Sequence, residues 1–170
     1  MAEEIINRVA KSGIITLNLE DFIPKGERLL YDLKDNLWQG IALKEKDFRE
    51  FVKNHDWSVY KNKNVALDCS VDAIVPTWAY MLLATKIAPY AKRVIFGSLE
   101  QLEAILFEES LNSIRPVDYQ DARIVIKGCS KKAVPPSAYV KLTEMLLPFA
   151  KTIMYGEPCS TVPLWKKPRK

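Results

Sequence analysis

Residues 76–97 of the chain align without a gap onto residues 135–156, at a constant offset of 59. Eight of these positions are identical: Pro76 with Pro135, Ala79 with Ala138, Tyr80 with Tyr139, Leu83 with Leu142, Pro89 with Pro148, Ala91 with Ala150, Lys92 with Lys151 and Gly97 with Gly156. Unrelated segments of ordinary composition share about one or two identities over such a length. Two segments this alike adopt one local structure, whether by duplication or by convergence on one packing solution. Any fold for this chain must therefore hold the same piece twice.

The piece reads as strand, helix, strand. A short apolar run, a proline that suits a helix start, apolar residues at helical spacing and a second apolar run ending at glycine occur over 64–97 and again over 124–156. Crossovers of this length join parallel neighbours. Upstream, 2–11 reads as a short helix, 14–19 as a strand, 29–33 with 37–43 as a hairpin, and 44–57 as an amphipathic helix, with 99–111 a further helix. The expected fold is a single α/β domain over 1–170 with a mixed sheet: an antiparallel N-terminal part joined to two repeated strand-helix-strand units.

A one-residue gap extends the alignment backwards and places Cys69-Ser70 on Cys129-Ser130, with Gly128 standing where Asp68 does. A third pair, Cys159-Ser160, follows the last apolar run, and each pair precedes a Val-Pro, at Val75-Pro76, Val134-Pro135 and Val162-Pro163. If all three runs are parallel strands of one sheet, the cysteines share its carboxyl edge, where open α/β sheets place ligands. Helix N-termini at Pro76 and Pro135 would favour a thiolate at Cys69 or Cys129, and Ser70, Ser130 and Ser160 would cap helices or donate to an anion. The same three cysteines, with His55 or Asp68 as a fourth ligand, are the less favoured candidates for zinc or an iron-sulfur cluster, since no C-x-x-C pair supports it. No cofactor is predicted. Cysteine is also among the most buried residue types, so core packing is the competing reading for each. His55, the only histidine, sits in N-H-D-W and reads as a solvated or C-capping residue.

Charge excludes some partners. The chain has 25 basic and 21 acidic residues, but Lys166, Lys167, Arg169 and Lys170 fall in the last five, within a basic tail over 164–170. The remaining 165 residues carry 21 of each sign, so no basic stripe marks a nucleic-acid face. The longest apolar stretch, near Ala73 to Ala84, is too short to span a membrane. Three cysteines and an acidic N-terminus without an apolar export core point to a reducing cytoplasm. Dinucleotide, P-loop and nucleophile-elbow motifs are absent from the sequence. Trp38, Trp57 and Trp165 stand in hairpin, loop and tail positions, where exposed aromatics suit a homodimer contact.

The strings EKDFREFVKNHDW, LDCSVDAIVPTWAYMLLATKIAPYAK, GCSKKAVPPSAYVKL and MYGEPCSTVP together resemble a bacterial family, familiar from Bacteroidetes, that is catalogued only as a domain of unknown function. The resemblance runs from about residue 25 onward. It implies a small cytosolic protein and supplies no activity, cofactor or site residue. Two functions are compatible with the residues. One is a small-ligand or thiol-dependent site at an edge carrying Cys69, Cys129 and Cys159 with Asp68, Ser70, Ser130 and Ser160. The other is a non-catalytic protein-interaction or regulatory module in which the cysteines are core packing. The sequence leaves open whether the chain is an enzyme.

Overall fold

The computed structural model describes residues 13–128 and 133–168. Seven strands and four helices are found among them: β1 Ile14–Asn18, β2 Arg28–Asp32, α1 Glu45–Asn54, β3 Asn64–Asp68, α2 Thr77–Ile87, β4 Arg93–Phe96, α3 Leu99–Leu111, β5 Arg123–Lys127, α4 Pro136–Leu146, β6 Thr152–Glu157 and β7 Ser160–Lys166. The expected helix over 2–11 lies outside the described residues. The fold is α/β, as expected, but its strands form two sheets, one ordered β2-β3-β4 and the other β1-β5-β6-β7. By internal packing the chain divides into a continuous unit, Lys25–Glu103, and a split unit, Met1–Pro24 with Ala104–Lys170. The boundary falls inside α3.

The continuous unit holds a three-stranded sheet that is parallel throughout. Its central strand β3 is buried on both faces at Val65, Ala66 and Leu67, as an apolar run without alternation requires. Pro76 is the N-cap of α2, after which Ala79, Leu83 and Ile87 recur at one helical face and pack with Tyr31, Leu33, Phe48, Val52 and Trp57. The split unit repeats this plan. Its central strand β5 buries Ile124, Val125 and Ile126, and α4 starts after Pro135 and buries Ala138, Leu142 and Leu146. There β7 pairs antiparallel with β6, with a bulge between Ile153 and Met154.

The correspondence reaches beyond the aligned segments. Every bound of β3, α2 and β4's first residue recurs 59 residues on in β5, α4 and β6. So do the 3-10 turns Trp57–Tyr60 and Pro116–Tyr119, and the left-handed residues Asn62 and Asp121. Backbone bonds repeat as well: Asn62 N–H donates to the Tyr90 carbonyl at 3.0 Å, and Asp121 N–H to Phe149 at 2.8 Å. Buried Phe48 and Val52 of α1 match buried Phe107 and Leu111 of α3 at the same offset. At an offset of 14, β1 and its 3-10 turn Leu19–Phe22 match β2 and Leu33–Asn36. Asn18 and Asp32 are the N-caps of those turns, accepting from Glu20 N–H and Lys34 N–H.

Two expectations about the N-terminal third need correction. The strands there are not antiparallel: β1 pairs parallel with β5 and β2 parallel with β3, and the antiparallel pair is at the C-terminal end. The hairpin of 29–33 with 37–43 does not form, because Asp32 ends β2 by capping the next turn and Gln39 and Gly40 adopt left-handed φ. Residues 37–43 instead fold on themselves through a Trp38–Ala42 bridge, with Ala42 also bridging Ile74. The expected basic tail is in part a strand, since Leu164, Trp165 and Lys166 belong to β7.

Candidate functional site

Because the strands lie in two sheets, the expected common cysteine edge is not one edge. Cys69 follows the central strand of the continuous unit, whereas Cys159 stands in the β6–β7 turn of the split unit. Cys129 and Ser130 lie outside the described residues. Cys159 is exposed, Cys69 is half-buried, and the Cys69 thiol donates to the Val71 carbonyl at 3.5 Å. Among the described residues no group of three or more His, Cys, Asp and Glu is placed to hold a metal, and no helix is long and apolar enough to cross a membrane. His55 is the C-cap of α1, and its ring packs against Trp57 at 4.4 Å. Trp57 is core rather than a surface contact, with its indole N–H donating to the Val52 carbonyl at 2.9 Å.

The carboxyl edge of the continuous unit gathers polar groups. Asp32 and Asp68 end adjacent parallel strands and are register partners. Ser70 N–H donates to Asp32 Oδ1 at 3.0 Å, and Cys69 N–H to Asp68 Oδ1 at 2.8 Å. Burial works to raise the Asp32 carboxyl, but hydrogen bonds from Ser70 and Lys34 outweigh it and bring it down to about 2. The Tyr80 phenol is raised, first by burial and then by Cys69, Asp68 and Asp32. Thus Tyr80, which reads as a core aromatic in sequence, turns its hydroxyl toward this acidic edge. In the split unit the positions of Asp32 and Asp68 are held by Asn18 and Lys127, and Lys127 Nζ pairs with Glu157 at 3.2 Å. The gapless offset sets Lys127 against Asp68 and Gly128 against Cys69, so the one-residue gap of the sequence alignment is not used. At Gly128 a Cβ would meet the Tyr139 hydroxyl oxygen, so a side chain there would require the ring to shift, whereas the matching position beside Tyr80 holds Cys69.

From this edge an apolar cleft of about 610 Å³ runs between α2 and β4. Tyr80 lines it, and its ring meets Phe96 edge-on, with centroids 4.9 Å apart. Leu67, Met81, Ala84 and Val94 continue the lining. Phe96 is 68% exposed and Met81 65%, so two large apolar side chains stand open to water. Sequence reasoning missed Phe96, Met81 and Asp32. Tyr80 and Tyr139 were visible as identical residues of the repeat, but nothing in the spacing distinguishes a buried ring from one that walls a cleft.

A concave apolar surface with convergent polar groups at one end is the usual form of a binding site. The arrangement can take an apolar side chain along the helix and a hydrogen-bonding group at Tyr80 and the two carboxylates. Cys69 stands beside Asp68 and Tyr80, and at the same edge Lys34 Nζ pairs with Asp32 at 3.3 Å. No curated protein and no solved structure matches the chain. The chain belongs to the family described as protein of unknown function (DUF2480), which matches residues 3–167.

Proposed function

We propose that this member of the family is a non-catalytic interaction module that binds polypeptide in the cleft between α2 and β4. The observation that carries the reading is that Phe96 and Met81, both exposed, line one concave apolar surface together with Leu67, Ala84 and Val94. Leaving such side chains in water forgoes about 1.5–3 kcal/mol for each that could be covered. A polypeptide partner recovers that burial. Selection from a displayed library of random peptides on the intact chain tests the reading. A consensus centred on an aliphatic residue is expected, with enrichment lost on Phe96→Asp. Failure to enrich any sequence, or enrichment indifferent to Phe96→Asp, would overturn it.

A small-ligand or thiol-dependent role is the second reading, favoured by the position of Asp32, Asp68 and Cys69 at the strand ends whose charges act on Tyr80, a residue of the cleft lining. Alkylation of the native protein tests the thiol part. Loss of peptide binding on modification of Cys69 would bring that residue into the site, and unchanged binding would leave it as packing.

A further inference from the structure

The cleft has a counterpart in the split unit, where Ile126, Pro136, Tyr139, Val140, Thr143 and Tyr155 stand 59 residues after Leu67, Thr77, Tyr80, Met81, Ala84 and Phe96. Tyr139 meets Tyr155 edge-on as Tyr80 meets Phe96. The second cleft is smaller, about 430 Å³, and its remaining wall is Leu164, which β7 brings beside β6. In the continuous unit β4 is the last strand of its sheet, and among the described residues nothing pairs with its far edge. The chain's own architecture therefore shows what fits such a cleft: an extended strand, hydrogen-bonded to the outer strand, carrying a leucine-sized side chain.

We infer that the outer edge of β4 receives an extended segment of a partner polypeptide, antiparallel and in the register β7 adopts on β6, with an aliphatic side chain set beside Tyr80 and Phe96. The inference rests on the polypeptide-binding reading and names its mode. An unpaired strand edge is a template for a further strand, whose main-chain bonds supply affinity while alternate side chains supply specificity. The register transfers residue by residue. Tyr155 faces Val162, Met154 faces Pro163 and Thr152 faces Lys166 in the split unit, so Phe96, Ile95 and Arg93 would face the equivalent ligand positions. A β-branched residue opposite Phe96 and a proline opposite Ile95 are therefore admitted. The basic residue of β7 is not, because it would stand opposite Arg93, and like charges across a strand pair repel.

The probe is a synthetic peptide with the sequence of β7, Ser160–Lys166, and a second with Lys166→Glu, titrated against the full-length chain by tryptophan fluorescence and by NMR. The Lys166→Glu peptide is expected to bind more tightly. Phe96→Asp, and separately Met81→Glu on the exposed side of α2, should each weaken binding about tenfold or more. N-methylation of the peptide amides that face the partner strand, an alternate set whose phase changes at the Leu164 bulge, should abolish binding, while N-methylation of the remaining amides leaves it intact. Binding by either peptide that survives both protein variants would mean exchange with the chain's own β7 and would overturn the inference, as would no binding. A dimer that Phe96→Asp dissociates would overturn it in favour of a second copy. If the random-peptide selection succeeds but N-methylation has no effect, strand pairing is wrong while the polypeptide-binding reading stands. If the selection also fails, both fall.

Discussion

At Gly97 and at Gly156 the backbone takes the same unusual course, with φ of 131° and 111°. After Gly97 the chain enters α3, its first turn closed by Ser98 N–H donating to Gln101 Oε1 and Gln101 N–H donating to Ser98 Oγ. After Gly156 it continues to Glu157, turns through Pro158 and Cys159, and returns as β7. Up to these glycines the two units match down to individual backbone bonds, and the path the chain takes beyond them decides whether, among the described residues, a further strand is added beside the outer one. The polar ends differ too, Asp32 and Asp68 against Asn18 and Lys127, although both Asp32 and Asn18 cap the following turn. A matched core therefore carries two unlike edges.

The comparison is broken most decisively through its cores. Phe48→Ala and Phe107→Ala each delete a ring from the same position of the repeated plan and should each cost about 3–5 kcal/mol in denaturant unfolding. A cost below about 1 kcal/mol in one of them would show that the two positions are not equivalent. Glycine substitution sharpens the difference at the point of divergence. Both Gly97→Ala and Gly156→Ala force a Cβ into a left-handed conformation, at about 1–2 kcal/mol. Gly156→Ala should cost more, because its Cβ would lie 2.9 Å from the Ser160 backbone oxygen, whereas at Gly97 the Cβ meets the end of the Gln101 side chain, which can give way by releasing its bond from Ser98 N–H.

The acidic edge gives a pH signature. With its folded-state carboxyl lowered to about 2, Asp32 contributes stability that is present above the ordinary aspartate value near 4 and is lost as pH falls from there through about 2. Asp32→Asn keeps a capping oxygen, as Asn18 does, and should flatten the acid limb of the stability profile by about 1 kcal/mol over that window. An unchanged acid limb would mean that Asp32 is not the group responsible. The smallest effect is kinetic: exposed Cys159 should be alkylated faster than half-buried Cys69 in the native protein, read by mass spectrometry of the labelled peptides.

Much of the plan can be read in the sequence where identity persists. Pro76, Ala79 and Leu83 recur as Pro135, Ala138 and Leu142 because a helix start and a close-packed face tolerate few residue types. The pairing of Phe48 with Phe107 and of Val52 with Leu111 escapes notice because only the burial recurs, with the intervening surface residues free to drift. The N-terminal strands mislead for another reason. Alternation marks a half-buried strand but not its partner, and β1 and β2 pair with strands that the chain supplies later. Pro163 hides β7, since proline argues against an interior strand and is tolerated here at a sheet edge. The candidate cleft is hidden because Phe96 reads as an ordinary apolar strand residue until β4 is seen to be the outer strand of its sheet among the described residues.

The split chain order has a consequence for synthesis. β1 is made first, yet its partner β5 lies more than a hundred residues further on, with Ile14 opposite Arg123. β2, β3 and β4 all leave the ribosome before β5 does. The continuous unit can close its sheet on the nascent chain while β1 waits unpaired, and the long loop that β1 must close makes its pairing the slow, late contact of folding.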